Sequence, residues 1–384
     1  MRGIVRCMRR LECLDGVRGL LAVYVMLSHM APFAALPDWL TQTLSHGGAA
    51  VDMFFILSGL VITRSLASFD WQPRPFLIAR ATRIFPTYLP VLALAVLVQP
   101  IPADFAALPW IGPDSQARGI WAQGWPADWG AELAAHLTMT HGLFPAGVLP
   151  NVWVSFLGAA WSLSTEWQFY VLVLFTGGWL RSDRRDPLPL LALGFLALAT
   201  AGAAWQAAAP APWQFSRAFL PLKAHYFALG IASAALLQGQ SRLYAPILGA
   251  VLGLIAAQGG WDKLLVPLAW TLCLGAERRP AAPGLRMVGH ILRCPPMLWC
   301  GAISYPLYLV NEPIQKLLGF LLGRIAAGEA ALFTLLWIPL ALVLPLWAAA
   351  WLHAHVEAPA MRWGHALARS LRTGSTRRML EAEG

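Results

Sequence analysis

The chain has 384 residues, of which 58% are hydrophobic and only 12% are charged, and its formal net charge is +9. A typical soluble domain is about 25% charged, so this composition excludes an ordinary soluble globular protein and indicates a polytopic membrane protein. The positive charge does not by itself indicate a nucleic-acid partner, because Lys and Arg also accumulate on the cytoplasmic side of membrane proteins. We therefore expect the lipid bilayer as the solvent and no nucleic acid as a ligand.

Ten apolar stretches predict membrane-spanning helices. A transmembrane helix needs about 20 mainly apolar residues, although the seventh and eighth stretches are shorter than this. The sequence therefore predicts an all-α integral membrane protein with about ten transmembrane helices. These stretches cover residues 14–34, 49–67, 84–100, 158–180, 187–208, 218–238, 243–258, 261–276, 297–322 and 329–353.

The distribution of basic residues predicts that both termini are cytoplasmic. An even number of spans places the termini on one side, and each cytoplasmic loop then carries Lys or Arg. The first helix is expected to remain uncleaved, because Glu12 and Asp15 lie just before its apolar run. One transmembrane domain is predicted over residues 1–363, followed by a poorly ordered basic tail at 364–384. Of the 28 Lys and Arg, six are left on the outer side: Arg118, Arg217, Lys223, Lys263, Lys316 and Arg324.

The first predicted helix carries two basic residues, Arg18 and His29, within GVRGLLAVYVMLSH. Eleven residues advance an α-helix by about 16 Å and rotate it by about three full turns. Both side chains therefore share one face, with Arg18 near the cytoplasmic surface and His29 well across the membrane. Arg18 could instead snorkel to the interface, and His29 could be a hydrogen-bonded core histidine.

The second predicted helix begins with Asp52, which we expect at the depth of His29. A carboxylate there would hold an imidazole N–H and fix its tautomer, and a neutral imidazole could act as a general base. Ser58 and Gly59 lie in the middle of the same helix. Such small residues allow close helix packing.

The third predicted helix begins with Arg80 and Arg83, which are neighbours on one helical face. Arg18 and Arg64 are expected at the same cytoplasmic level. Four guanidinium groups at one depth suit a phosphorylated ligand, because arginine donates paired hydrogen bonds to phosphate. The bias of basic residues toward the cytoplasm explains some of them without a ligand.

A long outer segment, residues 101–157, separates the third and fourth predicted helices. Its tryptophans indicate either an aromatic belt at the membrane interface or a platform for a sugar or a lipid headgroup. Glu166 follows in the fourth helix, and we expect it near the level of His29. There it could bind an acceptor hydroxyl, support the base, or serve only as a structural carboxyl. The tryptophans of the segment are Trp110, Trp121, Trp125, Trp129 and Trp153.

These predictions combine into one arrangement, with cations for phosphate on the inside and a base with carboxylates on the outside. A cytosolic donor with phosphates at one end and a thioester at the other, such as coenzyme A, suits that geometry. The base would then deprotonate an acceptor hydroxyl, and the hydroxyl would attack the thioester carbonyl. No spacing of Cys or His suggests a metal site.

The same residues resemble the membrane-bound acyltransferase-3 family, the O-acetyltransferases of bacterial surface polysaccharides and related acceptors. The resemblance rests on six stretches, in the family's order, between about residues 13 and 363. It implies a ten-helix fold, acyl-CoA as the donor, His29 as the catalytic base and arginines that handle CoA. The stretches are LDGVRGLLAVYVMLSH, AAVDMFFILSGL, ARATRIFP, WSLSTEWQFY, GAISYPLYLVNEP and HVEAPAMRW.

One position departs from the family pattern. Many relatives carry a histidine where this chain has Asn311. An amide cannot act as a base, so a proton-transfer role is not expected at this position, which could instead report the choice of acceptor.

The sequence thus predicts a multi-pass O-acyltransferase of the bacterial inner membrane. It would transfer an acyl group, in particular acetyl, from cytoplasmic acyl-CoA to a hydroxyl of a glycan, glycolipid or related acceptor. His29, Asp52 and Glu166 are the predicted catalytic group. A proton-coupled transporter or flippase is the alternative, with His29 and Asp52 relaying protons, but paired repeats with broken helices, which would favour it, are not evident. The predicted CoA ligands are Arg18, Arg64, Arg80 and Arg83, and the predicted substrate or packing residues are Ser58, Gly59 and Asn311.

Overall fold

A computed structural model describes the chain in four ranges. Within them the chain forms helices and no β-strand, apart from one isolated antiparallel bridge between Pro145 and Phe215. Two basic segments that contribute to the predicted orientation, residues 1–9 and 182–185, lie outside the described residues. The described ranges are residues 10–101, 104–121, 124–181 and 186–382.

A helix lies at each of the ten predicted positions. In each of these helices the apolar residues pack against neighbouring helices or face outward, as expected for a bundle whose exterior contacts lipid. We number these ten helices α1 to α10 in chain order. They are α1 (Glu12–Met30), α2 (Gly47–Ser68), α3 (Pro73–Val98), α4 (Trp161–Arg181), α5 (Leu188–Ala208), α6 (Ala224–Leu237), α7 (Tyr244–Ala257), α8 (Leu265–Arg278), α9 (Ser304–Ala326) and α10 (Ala330–Leu352).

Five helical segments of the described chain are long and apolar enough to cross a membrane. Helices α6 and α7 are apolar but have 14 residues each, which is about 21 Å of helix against a hydrocarbon core of about 30 Å. A count of ten spans and a cytoplasmic position for both termini therefore stay predictions. The five segments are Glu12–Phe33, Asp38–Ser68, Pro73–Val98, Leu188–Ala208 and Ala330–Leu371.

Further elements lie between and after these helices. The last of them, the 25-residue helix Ala358–Ala382, continues through most of the predicted tail, and the boundary at residue 363 stays a prediction. The other α-helices are Asp38–Leu44, Gln116–Trp121, Trp129–Leu137, Leu285–Leu292 and Pro295–Ala302, a π-helical turn covers His353–Glu357, and 3-10 turns cover Ala31–Phe33, Phe105–Ala107, His141–Leu143, Gly158–Ala160, Ala211–Trp213, Leu220–Leu222 and Trp261–Leu264.

Two glycines fix the N-terminal half of α1 against the short helices that precede α9. A Cβ added at Gly16 would lie 1.8 Å from the carbonyl oxygen of Leu292, and one at Gly19 would lie 2.4 Å from that of Met297. Only glycine allows backbones to approach this closely. These contacts set the rotation of α1 and hence the direction of Arg18.

Helix α6 lies inside the bundle, because it packs against both α2 and α5 and nearly all of its side chains are buried. Its contact with α2 also depends on glycine. A Cβ at Gly59 would lie 2.5 Å from the carbonyl oxygen of Phe227, and one at Gly230 would lie 2.1 Å from that of Ile56. One face of α2 therefore packs against α6. Its other faces contact α1, α4 and the cavities described next.

Candidate active site

Two cavities meet along α2. The inner cavity has a volume of about 300 Å³ and contacts α2 from Val51 to Ile62, which corresponds to about 16 Å of helix. The outer cavity has a volume of about 470 Å³ and lies at the N-terminal end of α2. Val51 and Tyr308 line both cavities, so these residues form the boundary between them.

Three arginines line the inner cavity, Arg18 from α1 and Arg80 and Arg83 from α3. The sequence predicted that these three lie together. The Arg80 guanidinium donates to Ser65 Oγ at 2.6 Å. Arg18 has no hydrogen bond or ion pair with any residue that the structure describes, so its donors are available to a ligand.

Arg64, the fourth predicted member of this group, does not line the inner cavity. Its charge instead interacts with that of Glu277 on α8. Arg64 lies near the C-terminal end of α2, but the rotation of α2 directs this side chain away from α3. The expected group of four guanidiniums is therefore a group of three.

Arg83 is oriented by the turn at the end of α10. Its Nη2 lies 4.0 Å from Glu357 Oε1, and the other oxygen of this carboxylate lies 2.7 Å from His353 Nδ1. Glu357 is almost completely buried. The helix that follows it brings Met361 to the inner cavity, where the Met361 sulfur accepts from Arg83 Nη1. The sequence offered only the resemblance of HVEAPAMRW as a signal for this role.

Glu166 also lines the inner cavity, where its carboxylate accepts a hydrogen bond from Ser58 Oγ at 2.5 Å. Its charge interacts with that of Arg18. The expectation that Glu166 lies at the level of His29 is therefore wrong. The carboxylate belongs with the arginines, deeper along α2 than its place near the start of α4 suggested.

The start of α4 explains this depth. The carboxylate of Glu312 accepts hydrogen bonds from the backbone N–H groups of Gly158 and Ala159, at 3.1 and 2.9 Å. The chain has thus already entered the bundle when α4 begins at Trp161. A half-buried carboxylate that accepts two backbone N–H groups is well satisfied, so Glu312 serves as an anchor for this turn.

His29 lines the outer cavity, and its Nδ1 lies 2.7 Å from Asn311 Oδ1. The Asn311 NH₂ group donates to the carbonyl oxygens of Leu307 and Tyr308, both at 2.8 Å. Because the amide nitrogen faces two acceptors, the amide oxygen must face His29. Nδ1 therefore carries a proton, and in the neutral ring Nε2 is the nitrogen with the free lone pair. No described residue forms a hydrogen bond with Nε2.

Asp52 does not contact His29, so the predicted pairing of these two groups is wrong. Its carboxylate lies 2.5 Å from Lys223 Nζ and lines neither cavity. Residues seven apart share one face of a helix, and Gly59, seven residues after Asp52, packs against α6. Asp52 therefore faces Lys223 at the start of α6. Ser58, one position before Gly59, faces the inner cavity.

Two charged residues of the outer cavity were not predicted as site residues. Arg217 precedes α6, and Glu312 follows Asn311 in α9; both line this cavity. The sequence signal for Glu312 was its charge within an apolar helix, whereas Arg217 stood among ordinary outer residues.

The tryptophans of the outer segment have three different environments. Trp153 lines the outer cavity. Trp110 instead packs on Phe333 and donates its indole N–H to the carbonyl of Phe33. Trp125 and Trp129 are more than two-fifths exposed, as in an aromatic belt. The side chain of Trp121 lies outside the described residues.

A pair of buried histidines supports the same outer segment. His136 and His141 stack with ring centroids 4.1 Å apart, and their Nε2 atoms lie 2.9 and 3.0 Å from the carbonyl oxygens of Val152 and Ala160. Burial lowers the pKa of His141 to about 4 and places that of His136 well below its ordinary value. Both rings are therefore neutral near pH 7, and neither lines a cavity.

A family model described as an acyltransferase domain matches residues 11–354. The chain belongs to the acyltransferase-3 family. All residues of the outer cavity and nearly all of those of the inner cavity fall within the matched stretch. None of the curated proteins and none of the solved structures matches the chain.

Membership of the acyltransferase-3 family and the apolar helices together identify a membrane protein with acyl transfer as its general activity. Arginines line the inner cavity and the imidazole of His29 lines the outer cavity, with Tyr308 at the boundary between them.

Proposed function

We propose that the protein transfers an acyl group, in particular acetyl, from a CoA thioester to a hydroxyl of a glycan, glycolipid or related acceptor. The observation that carries this proposal is the orientation of His29. Asn311 holds a proton on Nδ1, so that in the neutral ring Nε2 is the nitrogen that can accept a proton, in a cavity large enough for a sugar ring. This arrangement is that of a general base for a hydroxyl group.

The inner cavity supports a CoA thioester as the donor. Arg18, Arg80 and Arg83 offer guanidinium groups of the kind that binds phosphate. The cavity follows α2 for about 16 Å, a length that suits an extended arm. With phosphates at the arginines, the thioester would lie toward Val51 and Tyr308, next to the outer cavity.

In the proposed reaction, His29 Nε2 removes the proton of the acceptor hydroxyl while the hydroxyl oxygen attacks the thioester carbonyl carbon. The carbon–sulfur bond then breaks, and the departing sulfur receives the proton from the imidazolium. The products are an ester and the free thiol. Asn311 acts as a positioning residue, because it keeps the imidazole ring in the required orientation throughout.

A proton-coupled transporter or flippase, the alternative from the sequence, required a relay between His29 and Asp52. Asp52 is paired with Lys223 and His29 with Asn311, so the two groups have no hydrogen bond through which a proton could pass. The geometry therefore favours acyl transfer, and translocation of a substrate remains the competing outcome of the experiment.

The test uses purified protein in proteoliposomes, with labelled acetyl-CoA supplied on either side and a glycolipid fraction of the native membrane as the acceptor. His29→Ala should lower transfer at least a hundredfold, because it removes the general base, and should leave acetyl-CoA binding unchanged. His290→Ala is the matched control, since this exposed histidine lines neither cavity. Full transfer by His29→Ala, or movement of the acceptor across the bilayer without acetylation, would contradict the proposal.

A further inference from the structure

We propose that the outer cavity takes an acceptor that carries an anionic group, a carboxylate or a phosphate, and that Arg217 binds this group. The inference rests on the proposed function, because it concerns the acceptor side of the same site. It adds the chemical class of the acceptor, for which the family resemblance offered only glycans, glycolipids and related molecules.

Aromatic rings hold the Arg217 side chain at the outer cavity. Its guanidinium carbon lies 5.1 Å from the ring centroid of Trp153 and 5.7 Å from that of Trp161. Both tryptophans line the cavity together with Arg217 and His29. A guanidinium within about 6 Å of an aromatic face is attracted to it, so the charge is held in place without an anionic partner from the protein.

The carboxylates near Arg217 are engaged elsewhere. Glu312 lines the same cavity, but its two oxygens accept the backbone N–H groups of Gly158 and Ala159. Asp52 is paired with Lys223. Within the described part of the chain, no carboxylate forms an ion pair with Arg217, so its positive charge is left for a ligand.

An anionic acceptor fits this charge better than a neutral one. Guanidinium donates two parallel hydrogen bonds to carboxylate or phosphate, and such charge-assisted bonds are stronger than those to a neutral hydroxyl. Because Arg217 and His29 line one cavity of about 470 Å³, a sugar-sized group can contact both. Binding of its anionic group at Arg217 would present a hydroxyl of the same molecule to His29 Nε2.

The test measures the binding of three probes to the full-length protein in nanodiscs: methyl glucuronoside, methyl glucoside and glucose 1-phosphate. We expect the wild type to bind at least one of the two anionic probes about tenfold more tightly than the neutral glucoside. Arg217→Gln should abolish this preference, and Arg217→Lys should retain part of it. Arg324→Gln is the matched control, because Arg324 is exposed, predicted on the same side, and absent from the outer cavity.

The two anionic probes distinguish a carboxylate from a phosphate as the recognised group. Equal binding of all three probes by the wild type, including no detectable binding of any, overturns the inference, and so does a preference that persists in Arg217→Gln. Acetyl-CoA binding is measured on the same samples. Its absence from the wild type would count against the proposed function, whereas its presence without an anion preference would count against the inference alone.

Discussion

At the scale of single residues, the hydrogen bond from His29 to Asn311 determines which nitrogen of the ring can accept a proton. A carboxylate partner would fix the same tautomer and add a negative charge. The amide fixes the ring without that charge, and its own orientation is fixed by two backbone carbonyls of α9. The departure from the family pattern at this position therefore keeps the imidazole oriented, although an amide cannot transfer the proton itself.

Asn311→Leu should lower the rate of acyl transfer about ten- to a hundredfold, because the side chain of similar size removes the acceptor for Nδ1–H and releases the ring. The informative measurement is a double-mutant cycle of transfer rates with His29→Ala. If Asn311 acts through His29, the double variant should be no slower than His29→Ala alone. Losses that multiply in the double variant would show that Asn311 affects the site by another route.

Residue positions along each helix could be predicted better than residue partners. Eleven positions of an α-helix suffice to place Arg18 and His29 on one face at two depths, and each now lines a different cavity. The partners of Asp52 and Glu166 could not be obtained in this way. They depend on the rotation of α2 against α6 and on where α4 enters the bundle, and packing contacts distant in sequence determine both.

At the scale of helices, α2 positions the site residues because one of its faces packs on α6 and the adjacent face lines the inner cavity. Gly59 brings one face into backbone contact with α6, and Asp52 on that face pairs with Lys223. Ser58 lies on the adjacent face and donates to Glu166 in the inner cavity. Close contact between α2 and α6 thus holds Ser58 in register with α4.

Gly59→Ala should destabilise the protein by about 1–3 kcal/mol, because the added methyl group overlaps the backbone of α6 and forces the helices apart. Gly194→Ala is the matched control, since Gly194 lies inside α5 with no atom within 4 Å of an added Cβ; this change should be neutral or slightly stabilising. Thermal unfolding of both variants in the same detergent provides the measurement. Equal unfolding temperatures for the two variants would contradict this role of Gly59.

The positions of the long helices could be predicted from their apolar runs, but several short elements could not. The sequence around the helices Leu285–Leu292 and Pro295–Ala302 is basic and rich in proline, which is more typical of a loop. Both helices nevertheless pack closely on α1, at Gly16 and Gly19. The turn Gly158–Ala160 was read as the beginning of a span, and its anchor, Glu312, is more than 150 positions away. Short elements of this kind are stabilised by packing and hydrogen bonds with residues distant in sequence. The local sequence pattern therefore gives little indication of them.

At the scale of the whole molecule, the arginines that would bind phosphate and the histidine that would act as the base line two different cavities. Arg18 and His29 are about 16 Å apart along α1, and Tyr308 lies at the boundary between the cavities. If the predicted orientation holds, a donor enters from the cytoplasm and the acceptor is modified at the opposite surface. The activity then requires no movement of the whole donor across the membrane.

This orientation makes a direct prediction for chemical labelling. Val148 in the outer segment and Met287 in a short helix after α8 are both more than half exposed, and the distribution of Lys and Arg places them on opposite sides of the membrane. In an active variant without the five native cysteines, Val148→Cys should react with a membrane-impermeant maleimide on intact spheroplasts. Met287→Cys should react only after permeabilisation, because its loop is predicted to be cytoplasmic. Labelling of Met287→Cys alone before permeabilisation would reverse the predicted direction of acyl transfer, and labelling of both positions would contradict the predicted topology. Neither outcome would change the geometry around His29.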